Sequence, residues 1–110
     1  MAETIDELRA YREKVIAEVE RRMIRLRAVE TDIERAAFAA EAHNRSQTRL
    51  SSNTGRNQVA AAHRKRLREH VSSLKTERAQ AEEDLHRAKV RLEEVDRRLA
   101  ELGQDQGDEA

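Results

Sequence analysis

Four histidines, His43, His63, His70 and His86, are the side chains best suited to acid–base or metal chemistry in this sequence, which contains no cysteine. Their spacing matches neither the HExxH zinc pattern nor a glycine-rich phosphate loop. His43 falls in a layer of the apolar repeat described below, opposite Arg64. His63 lies one step away, so the two imidazoles are expected to approach each other. Two imidazoles beside an arginine, with no carboxylate, make a poor metal site. We read them as solvated residues. No metal, cofactor or small-molecule substrate is expected, and the chain reads as non-enzymatic.

A second chemistry lies in the middle of the chain. From Ala42 to Arg68 there is no acidic residue, while Arg45, Arg49, Arg56, Arg64, Lys65, Arg66 and Arg68 bring seven positive charges. Such a run suits phosphates, with affinity that falls steeply in salt, or an acidic protein surface. It has no aromatic ring on which a base could stack and no recognised nucleic-acid motif. Overall the charges cancel, to a formal net charge of +0, and the counterweight includes the acidic end at Glu101, Asp105, Asp108 and Glu109.

The elements that hold these residues follow from composition and period. Charged residues make up 40% of the 110 and aromatics 2%, with no proline. That leaves too few large apolar side chains for a three-dimensional core, and it is the composition of long helices burying a narrow seam. Low hydropathy and high charge also mark unfolded chains, so the period decides. Thr4 with Glu7 reads as a capping box. A 3-4 repeat then runs Ile5, Leu8, Arg12, Val15, Val19, Arg22, Leu26, Val29, Ile33, Ala36, Ala40, His43. It resumes as Leu67, Val71, Leu74, Arg78, Ala81, Leu85, Ala88, Leu92, Val95, Leu99, Leu102. A repeat this long signals a coiled coil.

The one cluster of turn formers, Ser51 to Asn57, separates the two runs. Folding back there pairs Ile5 with Leu102, Leu8 with Leu99, Val15 with Leu92, Leu26 with Ala81, Ile33 with Leu74 and Ala40 with Leu67. The numbers of each pair sum to 107, centring the axis on Asn53 and Thr54, inside the turn. The flanking charges agree: Arg9 faces Asp96, Glu30 faces Lys75, Glu18 faces Arg91 and Arg25 faces Asp84, with Asp32 and Glu77 the one like-charged pair. The fold class expected is therefore all-α, a long antiparallel two-helix coiled-coil hairpin over residues 1–103. Arm one spans about 4–50, the turn about 51–57 and arm two about 58–102, giving a rod roughly 65–70 Å long. Gly103 is expected to stop the second helix, leaving 104–110 as a disordered polar tail. Arg12, Arg22 and Arg78 interrupt the seam. Their aliphatic stems are expected to cover it while the guanidinium reaches water or a carboxylate.

With the seam assigned, the outward positions of the first arm stand out. They read Ala10, Ala17, Ile24, Thr31, Phe38, with Ile16 and Met23 beside them, where a lone pair of helices should be polar. The second arm shows the ordinary pattern, Glu69, Thr76, Glu83, Val90, Arg97. An apolar stripe confined to one helix points to docking. Ile16, Ala17, Met23, Ile24 and Phe38 are the candidate partner-binding residues, and two hairpins could pair through them into a four-helix assembly.

The stretch Leu85-His86-Arg87-Ala88-Lys89-Val90-Arg91-Leu92 resembles in style the small charged hairpins that serve as central stalks in type III secretion and flagellar export. The resemblance implies a stalk or adaptor role and transfers no site residue. Small secreted hairpins with a Trp-x-Gly turn are similar only at Thr54-Gly55, without the tryptophan. Paired hairpins that grip RNA are a third comparison. No family is recognised. No stretch approaches the roughly 18 apolar residues of a membrane span, no signal-peptide core is read at the N-terminus, and a cytoplasmic setting is expected. The leading expectation is a cytoplasmic protein that binds a protein partner or itself, as a homodimer, through helix one. Nucleic-acid binding at the basic tip is the alternative.

Overall fold

Thr4 opens the first helix as the sequence leads one to expect. Its Oγ1 accepts a hydrogen bond from the Glu7 amide at 3.1 Å, and its carbonyl accepts one from Leu8 at 3.0 Å. Asp6 and Glu7 in the first turn place negative charge at the positive end of the helix dipole. The computed structural model describes residues 4–49 and 54–108, leaving aside the side chains of residues 44, 46–49, 54–57 and 104–108. Two helices, α1 (Ile5–Arg49) and α2 (Thr54–Asp108), account for all of these except Thr4. They pack on each other, so the chain is an all-α helical hairpin.

The helix ends differ from expectation in two places. α2 begins at Thr54, so Thr54–Asn57 belong to a helix and not to the turn, while residues 51–53 lie outside the described residues. Serine, threonine and asparagine are both turn formers and preferred helix starters, so the same cluster serves either reading. At the other end α2 passes through Gly103 to Asp108. No described glycine adopts a positive φ, so Gly103 forms no left-handed cap. Glycine inside a helix costs only about 1 kcal/mol relative to alanine, which its glutamine and leucine neighbours tolerate. The expected tail is thus helical over 104–108, and 109–110 lie outside the described residues.

Contacts gather the chain into two units. The first comprises Met1–Arg25 with Ala81–Ala110. Its buried residues are Leu8, Val15, Ala81, Leu85, Ala88 and Val95, all at positions of the 3-4 repeat. Ile5, Val19, Leu92, Leu99 and Leu102 complete the seam, half-buried. Two seam arginines bridge the helices. Arg12 meets Asp96 at 2.6 Å, and Arg22 reaches Asp84 at 3.6 Å and Glu18 of its own helix at 3.8 Å. Arg91 donates to Glu18 at 2.5 Å, as the register expected. Arg12 takes the place expected of Arg9. A guanidinium cannot stay in the seam, so it leans out along the flank and finds the nearest carboxylate.

The second unit, Leu26–Gln80, is thinner. Among its described residues the buried ones are Val29, Ala36, Ala60 and Leu74, two of the four being alanine. Leu26, Ile33, Ala40, Leu67, Val71 and Arg78 are half-buried. Glu30 and Lys75, expected to pair, are both exposed and make no ion pair among the described residues. Above Leu67 the inward positions shift to Ala60 and His63, while Arg64 is exposed. The spacing from His63 to Leu67 to Val71 is four and then four, which rotates the inward face away from the 3-4 register. The layer expected to join His43 with Arg64 joins His43 with His63.

Candidate interaction surfaces

On α1, the five residues expected to face outward divide by exposure. Ile16, Ala17 and Met23 are half-buried within the first unit. Ile16 and Met23 occupy positions adjoining the seam, where a neighbouring helix shields one side of a long side chain, so they are weaker docking candidates than the sequence suggested. Ile24 in the first unit and Phe38 in the second are open to solvent, 68% and 73% exposed. Exposing a large apolar side chain to this degree forgoes about 1.5–3 kcal/mol each.

The basic run is less uniform than its composition implies. Arg45 is held by Glu41 one turn earlier at 2.5 Å, which offsets its charge. Arg64, Lys65, Arg66 and Arg68 follow one another on α2, exposed and without an ion-pair partner among the described residues. The side chains of Arg49 and Arg56 lie outside the described residues. The described basic surface therefore rests on one helix, over little more than a turn.

His43 and His63 meet edge to face, with ring centroids 4.3 Å apart and planes at 68°. His43 Nε2 is buried and has no hydrogen-bond partner among the described residues. A buried nitrogen left in this way costs about 1–3 kcal/mol. Among the described residues, no three His, Asp or Glu side chains gather as metal ligands would. The pair fills a seam layer.

Sequence reasoning missed a groove in the second unit. Ala37, Ala40, Leu67 and Val71 form its apolar floor, and Glu41, Arg68, Ser72 and Lys75 its edges, around about 540 Å³. Its origin is side-chain size. Ala37 adjoins the seam and Ala40 lies in it, so α1 offers methyl groups where larger side chains would close the space. The alanines were legible, but the void they leave opposite leucine and valine was not. Phe38 follows Ala37 directly and stands beside this groove. Arg68 and Lys75, both exposed and unpaired among the described residues, border it from α2.

In the first unit, Glu7, Leu8, Tyr11, Val95 and Arg98 line a smaller hollow of about 240 Å³. No helix among the described residues is long and apolar enough to cross a membrane. Comparison with known proteins adds no precedent for either surface, since no family model, curated protein or solved structure matches this chain.

Proposed function

We propose that this chain is a non-enzymatic assembly protein that associates with a second copy of itself through the outer face of α1. The observation that carries the reading is the exposure of Ile24 and Phe38 on a helix whose outward positions should be polar. Burying both on association recovers about 1.5–3 kcal/mol for each, counted twice in a symmetric pair of hairpins. A cytoplasmic setting, in line with the absence of cysteine, belongs to this reading. The test is light-scattering mass together with thermal unfolding across protein concentrations. The parent chain should be dimeric, with a melting temperature that rises with concentration. Ile24→Glu with Phe38→Glu should give a monomer of lower melting temperature and similar helicity. A parent chain that stays monomeric, with a concentration-independent melting point, removes the reading.

A second reading has its own observation, the exposed and unpaired Arg64, Lys65, Arg66 and Arg68 on α2. In this reading the basic end binds nucleic acid through phosphates. Binding to DNA and RNA would weaken log-linearly with salt, with a slope of about −0.7 to −0.9 per phosphate contacted. Failure to shift either nucleic acid at low salt removes it.

A further inference from the structure

Phe38 and the groove beside it belong to the same unit, yet the ring does not occupy the groove. Phe38 is 73% exposed, while the space bordered by Ala37, Ala40, Leu67 and Val71 is open. Consecutive helical residues point about 100° apart, since 3.6 residues complete a turn. From a position one residue past Ala37, the ring is directed outward and cannot fold into its own cleft. A surface that holds one protruding ring and one apolar recess, side by side, is self-complementary. An isologous interface requires this, because the same patch must serve both partners.

The charges around the two features match as well. Glu34 and Glu41 lie four residues before and three after Phe38, on the flank of α1 nearest Ala37; Arg35 lies on the opposite flank. Arg68 and Lys75 border the recess from α2. The two acids are seven residues apart and so are the two bases, a span of about 10.5 Å in each helix. Glu34, Arg68 and Lys75 have no ion-pair partner among the described residues, and Glu41 is engaged only by Arg45 of its own helix, in an exposed pair. Glu34 and Glu41 therefore flank the ring on the side of Ala37, while Arg68 and Lys75 border the recess from α2 and share its edge with Glu41.

We infer that Phe38 of each copy inserts between Ala37, Ala40, Leu67 and Val71 of a second copy, with Glu34 and Glu41 set against the partner's Arg68 and Lys75. This rests on the self-association proposed above and gives it a register. Two phenylalanines bury about 300–500 Å² between them, short of the roughly 1,000 Å² expected of a specific interface. The insertion therefore fixes alignment within a larger contact, to which the rest of the outer face of α1 contributes.

The test reverses the charges on each side separately. Glu34→Lys with Glu41→Lys, and Arg68→Glu with Lys75→Glu, alter only exposed residues, and circular dichroism checks that helicity is kept. An exposed pair is worth about twofold in affinity and the symmetric interface holds four. Each double variant should therefore weaken association by about tenfold, and the quadruple variant should recover it. In parallel, a benzophenone side chain replacing Phe38 should photo-crosslink to the 67–75 segment, and isotope-labelled and unlabelled chains in mixture should show that the link is intermolecular. If the parent is dimeric but the quadruple variant adds the two losses, or the crosslinks fall outside this groove, the insertion is wrong while self-association stands. If the parent is monomeric at every concentration, both fall.

Discussion

Replacing both bridging seam arginines, Arg12→Leu with Arg22→Leu, separates stability from specificity in this hairpin. Arg12 and Arg22 have side chains 38% and 39% exposed, and each ends on a carboxylate of α2, Asp96 at 2.6 Å and Asp84 at 3.6 Å. Pairs this open to water are worth about 0.2–1 kcal/mol. A leucine at the same position gains the burial of its apolar surface, about 1.5–3 kcal/mol if complete. Roughly half to two thirds of that is available at these sites, or about 1–2 kcal/mol. The two residues have nearly equal helix propensity, so the helices themselves are indifferent. The double variant should be more stable than the parent by about 1–2 kcal/mol in urea unfolding followed by circular dichroism. Polar residues in a seam define register at a cost in stability, so the same variant should tolerate misaligned and intermolecular pairings. Disulfide trapping with cysteines at Leu8 and Leu99 would show these as mixed products. A variant destabilised by more than about 1 kcal/mol would refute the reasoning, because the ion pairs would then outweigh the burial they displace.

Other expectations follow from the fold alone. Cysteine pairs at Leu8 and Leu99, or at Ile33 and Leu74, should oxidise within one chain at low protein concentration. Exclusively intermolecular products would favour two chains that exchange arms. Gly103→Ala should stabilise α2 by about 0.5–1 kcal/mol, because an added Cβ there meets nothing within 4 Å and φ is not positive. An unchanged or lower melting temperature would show that α2 does not continue past Gly103 in solution.

The seam was legible because burial in a helical pair depends on little besides period. Every seam residue from Ile5 to His43 and from Leu67 to Leu102 is buried or half-buried. The Glu18–Arg91 bridge followed from the same register. What failed was whatever depends on side-chain length or local shape. Arg12 replaced Arg9 at Asp96 because a long side chain leaving the seam can reach a neighbour's partner. Ile16 and Met23 looked outward by position, yet a residue beside the seam is covered on one side. Gly103 and the cluster at 51–57 are ambiguous in principle, since helices start on turn formers and tolerate an isolated glycine. The groove was hidden for a further reason. A pattern of positions records which residues face inward, not how much space their volumes leave.

The groove's location gives the assembly proposal its physical sense. The first unit buries Leu8, Val15, Leu85 and Val95 around two alanines, and three cross-helix ion pairs flank it. Among its described residues the second buries two larger side chains, Val29 and Leu74, leaves Phe38 in solvent, and includes a seam layer whose buried imidazole nitrogen has no hydrogen-bond partner among the described residues. Local stability follows the density of buried apolar contacts, so Leu26–Gln80 is the part of this hairpin with most to gain from a second copy. An aromatic ring entering the space left by Ala37 and Ala40 would supply the contacts that the unit's own side chains are too small to make. Under the proposed insertion the alanines and Phe38 form one feature: the small residues leave a space that is open in the single chain, and the ring of a second copy would fill it.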